Sequence, residues 1–246
     1  MRKTFSVARR ELAGYFFSPI AYIVGALFLA ASGAIFFYGF AWVDIRPIFR
    51  PGNEASLRPL FEAMAYLMVF IVPLLTMRLL SEEFDSGTIE TLMTAPISDA
   101  EVVAGKFLGV MGFYLALLAG TGAFLGLMVA FGQPDAGVAV MGYLGMLLLG
   151  SAFAAVGLFA SALTRHQLVA AIVAVAILSV FALLMQAVVR YAAAPWSHLA
   201  ARLNAMTYFK DFARGMFDTR GLVFFLSATL LFLFLSVKTL ESRRWR

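Results

Sequence analysis

Long apolar stretches alternate with short charged segments along this sequence. No charged residue lies between Glu11 and Asp44, and further apolar stretches follow towards the C-terminus. A helix needs about 20 mainly apolar residues to cross a bilayer. The pattern therefore predicts an all-α polytopic membrane protein, a single transmembrane domain over 1–246. Its six predicted spans are 19–42, 57–77, 108–131, 138–163, 168–189 and 222–237.

The composition agrees with this pattern. Hydrophobic residues make up 62% of the 246 residues and charged residues 13%, and the mean hydropathy is +0.89. Soluble domains contain roughly 45–50% apolar and about 25% charged residues, so a water-soluble globule is excluded. A disordered chain needs the opposite balance.

The charge distribution predicts the orientation. An even number of spans places both termini on one side of the membrane, and each terminal tail carries four basic residues, which are Arg2, Lys3, Arg9 and Arg10, then Lys238, Arg243, Arg244 and Arg246. Basic flanks favour the cytoplasmic side. We therefore expect both termini in the cytoplasm, with the connection 78–106 on the same side and the segment 190–221 outside. The net charge of +5 needs no nucleic-acid partner to explain it.

The N-terminal stretch 4–17 is amphipathic. Its apolar positions form one stripe on a helical wheel: Phe5, Ala8, Leu12, Tyr15 and Phe16. The charged residues Lys3, Arg10 and Glu11 lie opposite this stripe. Such a pattern is typical of a helix in the membrane interface. The alternative is a basic flank that only sets the orientation.

The connection 78–106 carries six of the 14 acidic residues of the chain: Glu82, Glu83, Asp85, Glu90, Asp99 and Glu101. Apolar positions recur at every fourth residue, at Leu80, Phe84, Thr88 and Leu92, as on one face of a helix. Ser98 followed by Glu101 predicts a capping box that opens the next helix. A solvated loop would leave the apolar face in water unless a partner or the protein covers it, so we interpret the segment as a docking surface.

The segment 190–221 mixes aromatic and charged residues, among them Trp196, Tyr208, Arg202 and Lys210. This mixture is typical of short helices at the membrane–water interface. The alternative is a pair of helices that re-enter the bilayer against other spans.

Catalytic motifs are absent from the sequence. Cysteine is missing, and the two histidines, His166 and His198, fall on opposite sides of the predicted membrane. No zinc motif and no nucleophile elbow occurs. A Walker motif is also absent, since the Gly105-Lys106 pair is followed by Phe107 instead of serine or threonine. We therefore predict a non-enzymatic chain that binds no metal or cofactor. The spans also lack the buried ionisable residues that relay protons or ions in secondary transporters, and Gln186 is among their few strongly polar residues. The energy for any transport would therefore come from a partner protein.

The connection resembles the cytoplasmic loop of ABC type-2 export permeases, particularly the gliding-motility-associated permease group. The matching residues are Glu82-Glu83, Gly87-Thr88, Glu90, Leu92, Ala95-Pro96, Ser98 and Gly105-Lys106. The N-terminal RRELAGYFFSPIAYI, the segment 209–215 and the ending 240–244 are also similar. The resemblance therefore extends over the whole chain.

The resemblance implies a type V ABC exporter-like fold, with an N-terminal elbow helix, a coupling helix at 87–96 and short re-entrant helices before span six. Glu82 and Glu83 would pair with basic residues of an ATPase or with the elbow helix, while Leu92 and Met93 would anchor the coupling helix. The implied coupling residues are Glu82, Glu83, Gly87, Thr88, Glu90, Leu92, Met93 and Pro96, and the elbow residues are Arg9, Arg10, Glu11 and Leu12.

The resemblance also implies the partners. They are ABC ATPase subunits that bind ATP and Mg, a second permease copy or a homologous permease, and an auxiliary membrane subunit with a periplasmic domain, all at the bacterial inner membrane. The expected function is the permease subunit of an ATP-driven exporter. The alternatives are a non-transporting scaffold or mechanotransmission subunit of an ABC complex, and a secondary transporter.

Overall fold

The computed structural model describes residues 2–38, 56–87, 98–131 and 134–244, and these parts of the chain are helical and contain no strand. The helices are α1 (Arg2–Phe16), α2 (Pro19–Tyr38), α3 (Arg58–Thr76), α4 (Ser81–Asp85), α5 (Asp99–Phe131), α6 (Ala136–Leu163), α7 (Gln167–Ser179), α8 (Met185–Tyr191), α9 (Trp196–Leu203), α10 (Ala205–Ala213) and α11 (Thr219–Arg244). A π-helical segment, Val180–Leu184, joins α7 to α8.

Within these described parts, six helical stretches are long and apolar enough to cross a membrane, which confirms the predicted all-α polytopic architecture. They comprise α2, α3 with α4, α5, α6, α7 with α8, and α11. Two of them extend well beyond the predicted apolar stretches, because helix α5 begins at Asp99 and α11 continues to Arg244. Residues 39–42 of the first predicted span lie outside the described residues.

Helix α6 occupies the centre of the bundle. Its most apolar stretch is 83% buried, against 22% for α11. Glycines on α6 allow neighbouring side chains to approach its backbone closely, as is typical of helix packing in membranes. These contacts are Gly142 with Phe61, Gly145 with Phe212, Gly150 with Tyr114, and Gly157 with Thr76. The other spans keep exposed apolar faces.

The two ends of the bundle are covered differently. At one end, called here the α1 end, helix α1 packs along the first half of α5. At the opposite end, called the α10 end, helix α10 packs against α6, α3 and α11. Phe209 and Phe212 of α10 are fully buried there, whereas Trp196 of α9 is exposed.

Two amides fix the start of α10. The side chain of Asn204 accepts a hydrogen bond from the Met206 backbone N–H at 2.8 Å and donates one to Gln186 Oε1 at 2.6 Å. Asn204 is fully buried, and both polar ends of its amide are satisfied, as a buried group requires. The polar residue that the sequence places in the fifth span therefore ties α8 to α10.

The close approach of α6 to α3 generates a stability prediction. A Cβ added at Gly157 would overlap the Thr76 side chain, whose own Cβ lies 2.7 Å away. Overpacking of a filled core costs about 1–3 kcal/mol, so Gly157→Val should lower the unfolding temperature in detergent. Gly126→Val is the matched control, because no atom outside its own helix lies within 4 Å of an added Cβ. Equal unfolding temperatures for both variants would contradict the close packing of α6 on α3.

Candidate functional site

The structure describes seven of the predicted site residues, which are Arg9, Arg10, Glu11 and Leu12 on α1, then Glu82, Glu83 and Gly87 at α4. Thr88, Glu90, Leu92, Met93 and Pro96 lie outside the described residues. The described ones converge at the α1 end of the bundle, where α1, α4 and the start of α5 meet. This region is called here the α1 junction.

Lys106 of α5 lies at the centre of the α1 junction. Its Nζ is 2.8 Å from Glu11 Oε1 and 2.8 Å from Glu83 Oε1. The Lys106 side chain is only 2% exposed, and those of Glu11 and Glu83 are 18% and 14% exposed. A second cation, Arg10, lies on the solvent side of the cluster, with Nη2 3.4 Å from Glu83 Oε1.

This four-residue cluster balances its own charge. Two carboxylates face two cations, so neither Lys106 nor Glu83 carries an uncompensated charge into its buried position. Removing one partner from such a cluster costs far more than the pair contributes, because the remaining charge stays desolvated. The cluster therefore ties three helices to one another, since α1, α4 and α5 each supply at least one member.

Glycines of α5 bring α1 close enough for this ion pair. Gly105, Gly109 and Gly112 recur at one face of α5, and α1 crosses over them. A Cβ added at Gly109 would lie 2.6 Å from the Cβ of Glu11. Leu12 covers Gly112 in the same way. Small residues on α5 thus set the position of α1.

The prediction that Glu11 lies on the polar, outward face of α1 is wrong. The wheel placed Glu11 opposite the apolar stripe, whereas the structure packs it against α5 beside the buried Val7 and Tyr15. Phe5, predicted within the apolar stripe, is mostly exposed. The physical reason is the ion pair with Lys106. Because Lys106 supplies an opposite charge on α5, the side of α1 that carries Glu11 packs against α5. Arg9 is exposed.

Glu82 and Gly87 occupy the outer part of α4. Glu82 is exposed, and its backbone carbonyl accepts the Ser86 N–H at 2.9 Å, which ends the helix. Gly87 follows with φ of +71°, in the left-handed region that glycine adopts without steric cost. Helix α4 therefore ends at this glycine, and Glu82 is exposed whereas Glu83 is largely buried in the junction.

Ser161 joins α6 to the turn between α3 and α4. Its hydroxyl accepts the backbone N–H groups of Leu80 and Ser81, each at 3.0 Å, and donates to the Met77 carbonyl at 2.9 Å. These are the backbone groups that a break between two helices leaves without partners. The buried side chain of Ser161 on the central helix therefore stabilises the turn between α3 and α4.

Tyr15 and Arg78 connect α1 to the end of α3. The Tyr15 hydroxyl donates to the Leu75 carbonyl at 2.7 Å, and the Arg78 guanidinium stacks 4.7 Å from the centre of its ring. Arg78 also donates to Ser18 Oγ at 2.7 Å. Burial raises the pKa of Tyr15 above its ordinary value, although the Arg78 charge acts in the opposite direction. The phenol therefore stays protonated and keeps its hydrogen bond.

The apolar stripe predicted for the connection is partly covered by the protein itself. Leu80 is fully buried, and Phe84 packs under the guanidinium of Arg243, 4.4 Å from its ring centre. Arg243 also donates to the Leu163 carbonyl at 2.6 Å. The C-terminal end of α11 is thereby attached to α4 and α6. Thr88 and Leu92, the rest of the stripe, lie outside the described residues.

The capping box predicted at Ser98 is present. The Glu101 N–H donates to Ser98 Oγ at 3.3 Å, and Glu101 Oε2 accepts the Ser98 N–H at 3.1 Å. This reciprocal pair starts α5, which carries Lys106 at the start of its third turn. No group of three or more potential metal ligands occurs in the part of the chain that the structure describes.

A profile of the family described as ABC-2 family transporter protein matches residues 24–236 of the chain. The chain belongs to the ABC-2 transporter family. It is a multi-pass membrane protein of that family, whose members are typically non-catalytic membrane components that act with an ABC ATPase. No curated protein matches the sequence. The matched range includes Glu83 and Lys106 of the α1 junction, while Arg10 and Glu11 precede it.

Sequence reasoning about this ABC-2 permease missed three residues that connect helices at the α1 end, which are Lys106, Arg78 and Ser161. Lys106 was noted only within a glycine–lysine motif, although a lysine near an apolar span needs an acidic partner. Arg78 was noted only as a boundary of the connection, and Ser161 was not singled out. No local signal marks Ser161, because its partners lie some 80 residues away along the chain.

The Lys106 cluster generates the second prediction. Lys106→Met should destabilise the permease by about 3–5 kcal/mol, because Glu11 and Glu83 would stay buried without their cation. Adding Glu11→Gln and Glu83→Gln to that variant should recover most of the loss, since the uncompensated charges are then gone. Thermal unfolding in detergent measures both effects.

The matched control is Lys238→Met on α11. Lys238 forms a 2.7 Å ion pair with Glu241, and both side chains are exposed, so its loss should cost about 0–1 kcal/mol. An unfolding temperature of Lys106→Met equal to that of Lys238→Met would show that the buried cluster does not hold the junction.

Proposed function

We propose that this ABC-2 family protein is the permease subunit of an ATP-driven exporter, coupled to a separate ATPase through residues 82–96. The observation that carries the proposal is the Lys106 cluster, which fastens α4 to α1 and α5. The loop motifs favour the gliding-motility-associated group within the family. ATP and Mg would be bound by the partner ATPase.

The first support is the route along which force can travel. The segment after Gly87 continues directly from α4, and α4 is attached to three spans besides its own. These attachments are Glu83 to Lys106 on α5, Leu80 and Ser81 to Ser161 on α6, and Phe84 to Arg243 on α11. A displacement of the segment 88–96 would therefore move several spans together.

The second support is the distribution of charge around the exit from α4. Glu82 and Asp85 are exposed there, whereas Glu83 is held inside by Lys106. Basic groups of an ATPase surface can meet the exposed pair, and α1 meets Glu83 through Arg10. In this proposal the two glutamates have different partners. Glu82 pairs with basic residues of the ATPase, and Glu83 pairs with the elbow helix α1 through Arg10.

The proposed complex contains two permease subunits, each with an ATPase, in the bacterial inner membrane. The exposed apolar faces of α2, α7 and α11 provide surface for lipid and for a second permease. An auxiliary membrane subunit with a periplasmic domain would be supplied by a separate chain.

The proposed orientation places the α1 end in the cytoplasm. The chain contains no cysteine, so Ser86→Cys at the exposed end of α4 and Ala136→Cys at the exposed start of α6 are unique labelling sites. A membrane-impermeant maleimide should label Ala136→Cys in spheroplasts and Ser86→Cys only after permeabilisation, because basic tails favour the cytoplasmic side. Labelling of Ser86→Cys before permeabilisation would reverse the orientation.

The coupling proposal predicts that Leu92→Asp abolishes ATPase co-purification and ATP-dependent transport. A buried aliphatic side chain contributes about 1.5–3 kcal/mol to an interface, and an unpaired carboxylate adds a desolvation penalty. Glu82→Gln should have a smaller effect, since an exposed ion pair contributes about 0–1 kcal/mol. Affinity purification from mild detergent, followed by turnover in vesicles, measures both variants.

Ala136→Asp is the control at the α10 end, where it should leave ATPase binding and turnover unchanged. Leu92→Asp should also insert and pair with a second permease normally. If it retained the ATPase at wild-type stoichiometry and turned over normally, residues 82–96 would not be the coupling element.

A further inference from the structure

A cavity of about 540 Å³ lies between α6, the π-helical segment, α10 and α11. Its floor is formed by buried apolar side chains, including Phe153, Val156, Leu178 and Phe225. The lining contains one hydroxyl, that of Ser227, which donates to the Phe224 carbonyl at 2.9 Å. The volume falls within the range of about 300–1,000 Å³ that is typical of ligand sites.

The cavity lies at the depth of the membrane. Most of its lining comes from the middle and the α10-end half of three spans. Its rim includes Leu203 and Leu231, which are exposed, so the cavity opens sideways to the surroundings of the spans. Water needs polar partners to stay in a cavity, and this lining offers almost none, whereas the surrounding hydrocarbon can enter freely.

The wall of the cavity is locally irregular. Phe181 lies in the π-helical segment and lines the cavity. Single π-helical turns within α-helices occur frequently at functional sites, because they shift side chains out of regular register. The departure from α-helical geometry therefore coincides with the concave site.

Basic residues lie at the α10 end of the cavity. Arg202 directly precedes the rim residue Leu203, and Arg220 lies one helical turn before Phe224 of the lining. Both arginines are exposed, and the segment 190–221 contains five basic residues against two acidic ones. This charge complements a phosphate at the membrane surface.

We propose that the cavity binds one acyl chain of a membrane phospholipid, with the lipid phosphate beside Arg202 and Arg220. The phospholipid would be a resident of each permease subunit and would fill the space between α6 and α11. This site lies away from the α1 junction and does not depend on coupling to an ATPase.

Photolabelling tests the proposal. The purified full chain is placed in vesicles of phosphatidylcholine and phosphatidylglycerol that contain phosphatidylglycerol with a diazirine in one acyl chain. We expect peptide mapping to find label on the floor residues Phe153 and Val156, which line the cavity and are almost completely shielded from lipid outside it. Label on exposed Leu115 of α5 reports ordinary contact with the bilayer. Label on Leu115 with none on the floor would overturn the proposal.

Matched variants test the cavity itself. Ala228→Phe fills part of it and should cause loss of the floor label while the Leu115 label remains. Ala123→Phe, on the exposed face of α5, should change neither. Floor labelling that persists in Ala228→Phe would contradict the site. If either variant fails to elute like the wild type, the wild-type labelling decides.

The headgroup assignment has its own test. Arg202→Gln with Arg220→Gln should reduce the floor label from the phosphatidylglycerol probe but not from a diazirine-bearing fatty alcohol, which has no phosphate. Equal losses or no losses with both probes would contradict a phosphate at these arginines.

Discussion

The free energy of leaving a charge unpaired in a poorly polar environment governs the α1 end of this protein. Lys106 lies at the start of a long apolar helix and is almost completely buried, so it is stable only with carboxylates beside it. Glu11 and Glu83 meet this requirement from two other helices. This pairing and the glycines of α5 that admit α1 together account for the positions of α1 and α4 and for the buried face of α1.

The two halves of the bundle differ in how their helices are held. At the α1 end, Glu83 of α4 pairs with Lys106, Ser161 accepts the backbone N–H groups at the start of α4, and Phe84 lies under the guanidinium of Arg243. Tyr15 of α1 donates to the Leu75 carbonyl of α3. Towards the α10 end, glycines of α6 and apolar contacts dominate, and a cavity opens beside the packed pair α6 and α11.

Local sequence patterns predicted the features that depend on neighbours along the chain. Six apolar stretches of sufficient length predicted six membrane-crossing helices, because a bilayer accepts only helices of that length with internally satisfied backbones. The Ser98–Glu101 capping box was predicted for the same reason, since its two members lie one turn apart. The helix ends were less accurate, because helices such as α5 continue past the apolar stretch into charged sequence.

Only the tertiary structure decided which charges and hydroxyls meet. The helical wheel turned Glu11 towards water, and its partner Lys106 lies 95 residues further along the chain. Ser161 and the cavity between α6 and α11 leave no periodic trace either, because they arise where separate helices cross. Hydrophobic periodicity records how one helix divides lipid from protein, whereas the pairing of polar groups depends on distances between helices that no single segment encodes.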